Sequence, residues 1–271
     1  MIFEAKPAVI GHRGCGPARA GTPAAHPGSR RRGGGRESGY RENSIESFLA
    51  AAELGADWVE LDARRSSDGE LVVWHDPVTP AGKPVIGCTA DALAVEGIVR
   101  LADVLGAVPR QVGVDIDVKT MLADATDPPE QRTHALVGRA LDEVLGTRRF
   151  LVTSFDPSVL TYLARQPSLG DQVGLGLLTE VGFSAGPGVS AAANLHVDVI
   201  CLHTGSIGTL VQAAGVVEAA HQAGLEVMTW TPGPALAAEL TRAGVDAVCV
   251  DDVPGTRAAL AALAQPGAGQ P

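Results

Sequence analysis

The sequence predicts a closed (β/α)8 barrel, and three observations carry that expectation. Short β-type runs alternate with Ala/Leu-rich helical segments along most of the chain, the pattern of buried parallel strands covered by helices. About eight such units fit into 271 residues, a length suited to a barrel of this kind. An open doubly wound sheet would announce itself by a Gly-rich dinucleotide turn after the first strand, and no G-x-G-x-x-G occurs there.

The strand runs, in order, are Ala8–His12, Trp58–Ala63, Val112–Val118, Phe150–Phe155, Val173–Leu178, Val199–His203, Glu226–Trp230 and Ala247–Asp251. Helical segments between them include Ser44–Leu54, Thr133–Leu145, Pro157–Arg165, Val211–Ala223 and Pro234–Ala243. Leu71–Trp74 breaks the alternation. It follows Asp62 too closely for a parallel crossover, which needs a dozen or so residues. Ser67-Asp68-Gly69 is a hairpin-type turn signal. The second barrel strand is therefore expected to run past the rim and fold back antiparallel, with His75 about opposite Asp62. Residues 15–41, rich in Gly, Pro, Ala and Arg and without apolar periodicity, read as a flexible insertion. Residues 265–271 read as a disordered tail, which leaves one barrel domain over residues 1–264.

Composition narrows the partners. Hydrophobic residues make up 45% and aromatic residues 4% of the chain, so the core is built from Val, Leu, Ile and Ala. No apolar run approaches the roughly 18 residues of a membrane span. A strand-like run begins within ten residues of Met1 and leaves no room for a secretory signal, so a cytoplasmic protein without an integral membrane segment is expected. The net charge of −10 argues against nucleic acid. That charge is uneven: residues 15–41 hold six Arg and one Glu, so they carry +5 and the rest of the chain −15. Cys15, Cys88, Cys201 and Cys249 are widely spaced, which indicates neither a disulfide framework nor a zinc ribbon. Nothing in the sequence points to an oligomeric state.

Charged residues gather at strand ends, where barrel active sites lie. Glu60 and Asp62 are two apart on a strand and share a face. Two carboxylates so close suppress each other's ionisation unless a cation compensates, and oxygen ligands select a hard cation, Mg²⁺ or Ca²⁺. Asp117 can add a third ligand from the next barrel strand, where Asp115, Asp117 and Lys119 share a face. His12 and His75 form the pair that general acid–base catalysis requires. Arg13 and Lys119 can neutralise phosphate oxygens. Together these residues point to metal-assisted cleavage of a phosphate ester. Trp230 can wall the substrate, and His203 can line the mouth. His26, His134, His196 and His221 read as loop or helix-surface residues. Gly182-Phe183-Ser184-Ala185-Gly186 satisfies G-x-S-x-G, but Thr179-Glu180-Val181 separates it from the strand and Pro187-Gly188 stands where the helix of a nucleophile elbow should begin.

The series Gly11-His12-Arg13-Gly14, Arg41-Glu42-Asn43-Ser44, Glu60-Leu61-Asp62, Asp68-Gly69, His75-Asp76, Asp117-Val118-Lys119 and Trp230-Thr231 resembles the glycerophosphodiester phosphodiesterase family. Ser154-Phe155-Asp156 and Gly244-Val245-Asp246 extend the match across nearly the whole chain. The resemblance implies a TIM barrel that releases glycerol 3-phosphate and an alcohol with one divalent metal, Mg²⁺ or Ca²⁺, Mn²⁺ also being admissible. It implies His12 and His75 as the acid/base pair, and Arg13 and Lys119 on phosphate. Glu60, Asp62 and Asp117 would hold the metal, with Glu42 close by. Several positions depart from the family pattern. Arg41 and Ser44 replace its Pro and Thr, and Asp117 stands where Glu is usual. Residues 77–100 form a reduced version of its small insertion, and Trp230-Thr231-Pro232-Gly233 replaces Trp-Thr-x-Asn. Two nucleophiles fit the residues, water or the substrate's own glycerol hydroxyl. Two further functions fit the departures: a lysophospholipase D-like or other phosphodiester hydrolase, and a catalytically weak barrel that binds phosphorylated ligands.

Overall fold

The computed structural model describes residues 1–16 and 40–264. The predicted insertion at 15–41 therefore lies mostly, and the predicted tail at 265–271 wholly, outside the described residues. The strands are β1 (Ala8–Gly11), β2 (Trp58–Arg65), β3 (Leu71–Val73), β4 (Val99–Arg100), β5 (Gly113–Val118), β6 (Phe150–Ser154), β7 (Val173–Leu178), β8 (Val199–His203), β9 (Glu226–Trp230) and β10 (Ala247–Val250). The helices are α1 (Ile45–Glu53), α2 (Ala90–Val95), α3 (Leu101–Ala107), α4 (Leu122–Thr126), α5 (Thr133–Asp142), α6 (Pro157–Ala164), α7 (Ala185–Leu195), α8 (Leu210–Gln222), α9 (Pro234–Arg242) and α10 (Val253–Leu263). Eight strands, β1, β2 and β5 to β10, pair in parallel, and β1 closes the ring by pairing with both β10 and β2. This is the predicted (β/α)8 barrel.

Alternation along each strand sorts side chains into two cores. Ala8, Ile10, Trp58, Leu151, Val199, Met228 and Ala247 point inward and fill the barrel with Phe3. Val9, Val59, Leu61, Val114, Ile116, Val152, Ile200 and Val248 point outward under the helices. Trp58 fits at the base because its neighbour in register is Gly113. A Cβ at Gly113 would lie 2.3 Å from the indole.

Asp246 ties the base together. Its carboxylate accepts from Lys6 Nζ at 2.7 Å and the Val227 N–H at 2.7 Å, and contacts His221 Nε2 at 2.8 Å. Burial alone would raise its pKa, but these partners outweigh burial and hold it below the usual carboxylate range. A depressed folded pKa contributes stability above roughly pH 4 that is lost as pH falls through the folded value. Asp246→Ala strands the Val227 N–H and leaves Lys6 with one carboxylate partner, Glu226 at 2.9 Å, in place of two. It is expected to lower the unfolding free energy by about 3 kcal/mol, read from the denaturant midpoint at neutral pH.

The hairpin forms as predicted but its register differs by one. Ala63 faces Val73, and the Trp74 N–H donates to the Asp62 carbonyl at 2.9 Å, so Trp74 rather than His75 lies opposite Asp62. The turn spans Ser66 to Glu70, closed by Ser66 N–H to the Glu70 carbonyl at 2.9 Å, which sets the register. β4 then pairs with β3, extending the hairpin to three strands. Between them, residues 77–98 place Val85, Ala90, Leu93 and Ile98 on Val72 as a small separate core. Arg41, in the place of the family's proline, crosses to this segment and donates to the Gly97 carbonyl. Ser44, in the place of threonine, still caps α1 by accepting from the Ser47 N–H.

Helix α7 overturns one expectation. It begins at Ala185 and runs through Pro187-Gly188, because proline is tolerated in a first helical turn where no intrahelical N–H is needed. Ser184 nevertheless does not line the barrel mouth. His134 is buried in α5 against Tyr162, at a ring distance of 4.4 Å, rather than on a helix surface. His26 lies outside the described residues. All four cysteines are free, Cys201 and Cys249 being buried in the barrel. No helix among the described residues is long and apolar enough to cross a membrane.

Candidate active site

A cavity of about 280 Å³ opens at the C-terminal end of the barrel. It is lined by His12, Arg13, Glu60, Asp62, His75, Asp117, Lys119 and Trp230, and also by Asp115, Thr153, Phe155, Leu178, Glu180, Met228 and Cys249. The register explains the convergence. Glu60 pairs with Asp115 and Asp62 with Asp117, so the inward carboxylates of β2 and β5 stand in two layers. Lys119 follows two residues beyond Asp117 on the same face.

Glu60, Asp62 and Asp117 are buried, and one oxygen from each lies within 4.8 Å of the others. Lys119 Nζ bridges Asp117 and Asp62, 3.0 Å from the latter. Arg13 Nε approaches Asp62 at 3.2 Å, and Asn43 Nδ2 donates to Asp62 at 2.7 Å. Burial opposes ionisation of Asp62, but the charges of Lys119, Arg13 and His75 outweigh it and hold the carboxyl below its ordinary range. At Glu60 and Asp117 the nearby positive charges do not outweigh burial. Burial, then the Asp62 charge, pushes Glu60 up to about 7. Asp117 rises to about 6, because burial and Asp62 outweigh Lys119, and its Oδ1 is buried without a partner. A hard cation fits this set: clustered oxygen donors, an orphaned carboxylate oxygen, and an excess of negative charge.

Arg13 reaches the mouth because the chain leaves β1 at Gly11 and turns. Arg13 adopts φ of 52°, and the Gly14 N–H closes the turn on the Gly11 carbonyl at 3.1 Å. Gly14, at φ of 90°, also lets α1 approach; a Cβ there would lie 2.4 Å from Ser47 Oγ. The Arg13 N–H donates to Glu60 at 2.9 Å and its Nη1 to Glu42 at 3.0 Å. Glu42 therefore orients the guanidinium and does not itself line the cavity.

The two histidines are held differently. His12 Nδ1 lies 2.7 Å from Asp251 Oδ1. Burial lowers the imidazole's proton affinity, but Asp251 and then Glu60 outweigh it, so His12 remains protonated to a higher pH than a free imidazole. His75 is half-exposed with Nδ1 2.9 Å from Asp76. The chain bends there, after β3 ends at Val73. Arg64 Nε and Nη2 both donate to the His75 carbonyl, at 3.0 and 2.5 Å. The bend and this clamp bring His75 to the cavity despite the shifted register.

Asp251 and Asn43 are site residues that strand-end reasoning did not select. Asp251 follows β10, and barrel closure sets the end of β10 beside His12; the Ile10–Cys249 pairing, extended by two residues, gives that neighbour. His203, which its strand-end position made a candidate for the mouth, packs on Trp230 at a ring distance of 4.4 Å and does not line the cavity.

Asp251→Asn is expected to move the His12-dependent limb of the kcat/KM–pH profile to lower pH. Loss of a carboxylate partner lowers imidazole proton affinity whichever way the proton travels. An unmoved limb would detach Asp251 from His12 function.

Comparison with known proteins gives one consistent result. The model of the Glycerophosphoryl diester phosphodiesterase family matches residues 12–254. A glycerophosphocholine phosphodiesterase from Candida albicans is 41% identical over 68 residues, 25% of this chain; the match spans 5% of that relative's length. Two solved structures share the fold. A glycerophosphodiester phosphodiesterase from Parabacteroides distasonis has a TM-score of 0.72 at 22% identity, covering 96% of this chain and 99% of that one. An Oleispira antarctica phosphodiesterase, in complex with the product sn-glycerol-3-phosphate, has a TM-score of 0.71 at 21% identity, with 94% and 97% covered.

Proposed function

Because the chain belongs to the glycerophosphoryl diester phosphodiesterase family, we propose that it hydrolyses glycerophosphodiesters to sn-glycerol 3-phosphate and an alcohol at the barrel mouth, within a single catalytic domain over residues 1–264. The observation that carries this reading is one cavity lined by three clustered carboxylates, two histidines and two cationic side chains.

Glu60, Asp62 and Asp117 would hold one divalent cation, Mg²⁺, Ca²⁺ or Mn²⁺. When bound, that cation supplies charge stabilisation for the phosphoryl oxygens. Arg13, oriented by Glu42, and Lys119 bind the non-bridging oxygens and offset the charge that builds on them. One histidine accepts the proton of the attacking hydroxyl at its Nε2. The other donates its Nε2 proton to the departing alkoxide as the phosphorus–oxygen bond breaks. Asp251 and Asp76 occupy the Nδ1 atoms and so fix which nitrogen is available. Trp230 and Phe155, 6.0 Å apart and edge to face, wall the cavity against water. The attacking hydroxyl belongs to water or to the substrate's glycerol, and a cyclic phosphate seen in rapid quench would identify the latter.

The test is release of sn-glycerol 3-phosphate from glycerophosphocholine with each of the three metals. Tight binding of glycerol phosphate with no turnover under any metal would favour a binding protein instead. A second reading, cleavage of lysophospholipids, is favoured by one observation. Leu122, Val181, Phe183, Leu210, Val211 and Leu236 are exposed, and all follow barrel strands on the face of the cavity. An acyl chain could lie across them. A kcat/KM for lysophosphatidylcholine above that for glycerophosphocholine would establish this second reading.

A further inference from the structure

We infer that Glu180, lining the same cavity as Trp230 and Phe155, forms a subsite that selects diesters whose alcohol carries an ammonium group; this rests on the phosphodiesterase reading of the cavity. The cavity is two-sided. Its cationic side chains and metal-type carboxylates come from β1, β2, β5 and their flanking residues. The opposite wall, from β6 to β9, is Thr153, Phe155, Leu178, Met228 and Trp230, with Glu180 as its acidic side chain.

Strand alternation aims Glu180 at the mouth. Leu178 ends β7 pointing inward, and Glu180 lies two residues on, on the same face. The backbone at this point is tied down. The Thr179 N–H donates to the Cys201 carbonyl at 3.0 Å. The Glu180 carbonyl accepts from the Phe183 N–H at 3.0 Å and from Ser206 Oγ at 3.4 Å. The carboxylate itself has no ion pair or hydrogen bond among the described residues, whereas Asp62 and Asp117 share Lys119.

The neighbouring rings suit a cation. Phe155 meets Trp230 edge to face at 87°, and Lys119 Nζ lies 5.5 Å from the Phe155 ring centre. Phe155 thus stands between the phosphate-binding ammonium of Lys119 and Trp230. His203, packed on Trp230, is pushed by burial towards its neutral form. A diester held by its phosphate on Arg13 and Lys119 would place its alcohol against a carboxylate and an indole, the pairing that recognises organic ammonium ions. A neutral or anionic alcohol gains nothing from Glu180.

The experiment compares kcat/KM for glycerophosphocholine and glycerophosphoglycerol in the wild type, E180Q and E180K. The wild type is expected to prefer the choline ester. E180Q should lower the choline-to-glycerol ratio about three- to fivefold, the size of one partly exposed cation contact. E180K should lower it further, and added salt should weaken the wild-type preference. An unchanged ratio in E180Q overturns the inference. So does an equal loss on both substrates, which would place Glu180 on the glycerol moiety they share. If the wild type cleaves neither diester, the phosphodiesterase reading fails separately. Calorimetric binding of phosphocholine against glycerol phosphate then decides the subsite by the same ratio.

Discussion

His12→Ala and His75→Ala are each expected to reduce kcat on glycerophosphocholine at least about a hundredfold, within the range a positioned acid or base contributes. The two effects should arise from different surroundings. His12 is largely enclosed, its Nδ1 held by Asp251, so only its other nitrogen is available for proton transfer. His75 stands on a bent, half-exposed segment that Arg64 ties to β2 through two hydrogen bonds to its carbonyl. Because that clamp grips the backbone, His75→Ala leaves it in place, and thermal stability should change little. The double variant should lose scarcely more than either single one, since an acid and a base serve the same bond-breaking step. Losses that multiply would mean the two act in separate steps. Retained turnover in either single variant would remove that histidine from the chemistry.

Asp62→Asn should be equally severe, through cation affinity. The substitution keeps the shape of the side chain and removes the charge that joins three cationic or donor groups: Lys119, Arg13 and Asn43. Asp62 is also the acid of the triad whose ionisation is favoured, whereas burial pushes Glu60 and Asp117 up. Replacing it removes the firmest anion from the set. Cation affinity measured by calorimetry should fall by about tenfold or more, and turnover at saturating metal by at least about a hundredfold. An unchanged affinity would place the cation elsewhere, or show that Lys119 alone neutralises these acids.

Much of this site is legible in the sequence because barrels translate position into geometry simply. A residue at the C-terminal end of a barrel strand with the inward parity reaches the mouth, and His12, Glu60, Asp62, Asp117, Lys119 and Trp230 all follow that rule. The eight-residue gap after Asp62 is too short for a crossover, so the hairpin is legible as well. Its register is read one residue out: the hairpin is centred on Asp68, which sets Trp74 opposite Asp62, whereas His75 would stand there only if the turn were centred between Asp68 and Gly69. Asp251 escaped because it matters only through the pairing of the first strand with the last, a contact between residues 239 apart. Asn43 and Glu42 lie on the approach to α1, where no strand period marks direction. α7 was hidden by Pro187 and Gly188, which weaken a helical pattern even in a first turn that tolerates them. Glu180 lies beyond the end of a strand in a loop whose course depends on Ser206 and Cys201.

The measurement that bears most directly on the account is the rate of sn-glycerol 3-phosphate release from glycerophosphocholine by chelator-stripped protein, before and after Mg²⁺, Ca²⁺ or Mn²⁺ is restored. The account predicts negligible release from the stripped protein and recovery with at least one of these ions in the wild type, but not in Asp62→Asn. Equal rates with and without the ion, or full recovery in Asp62→Asn, would contradict it.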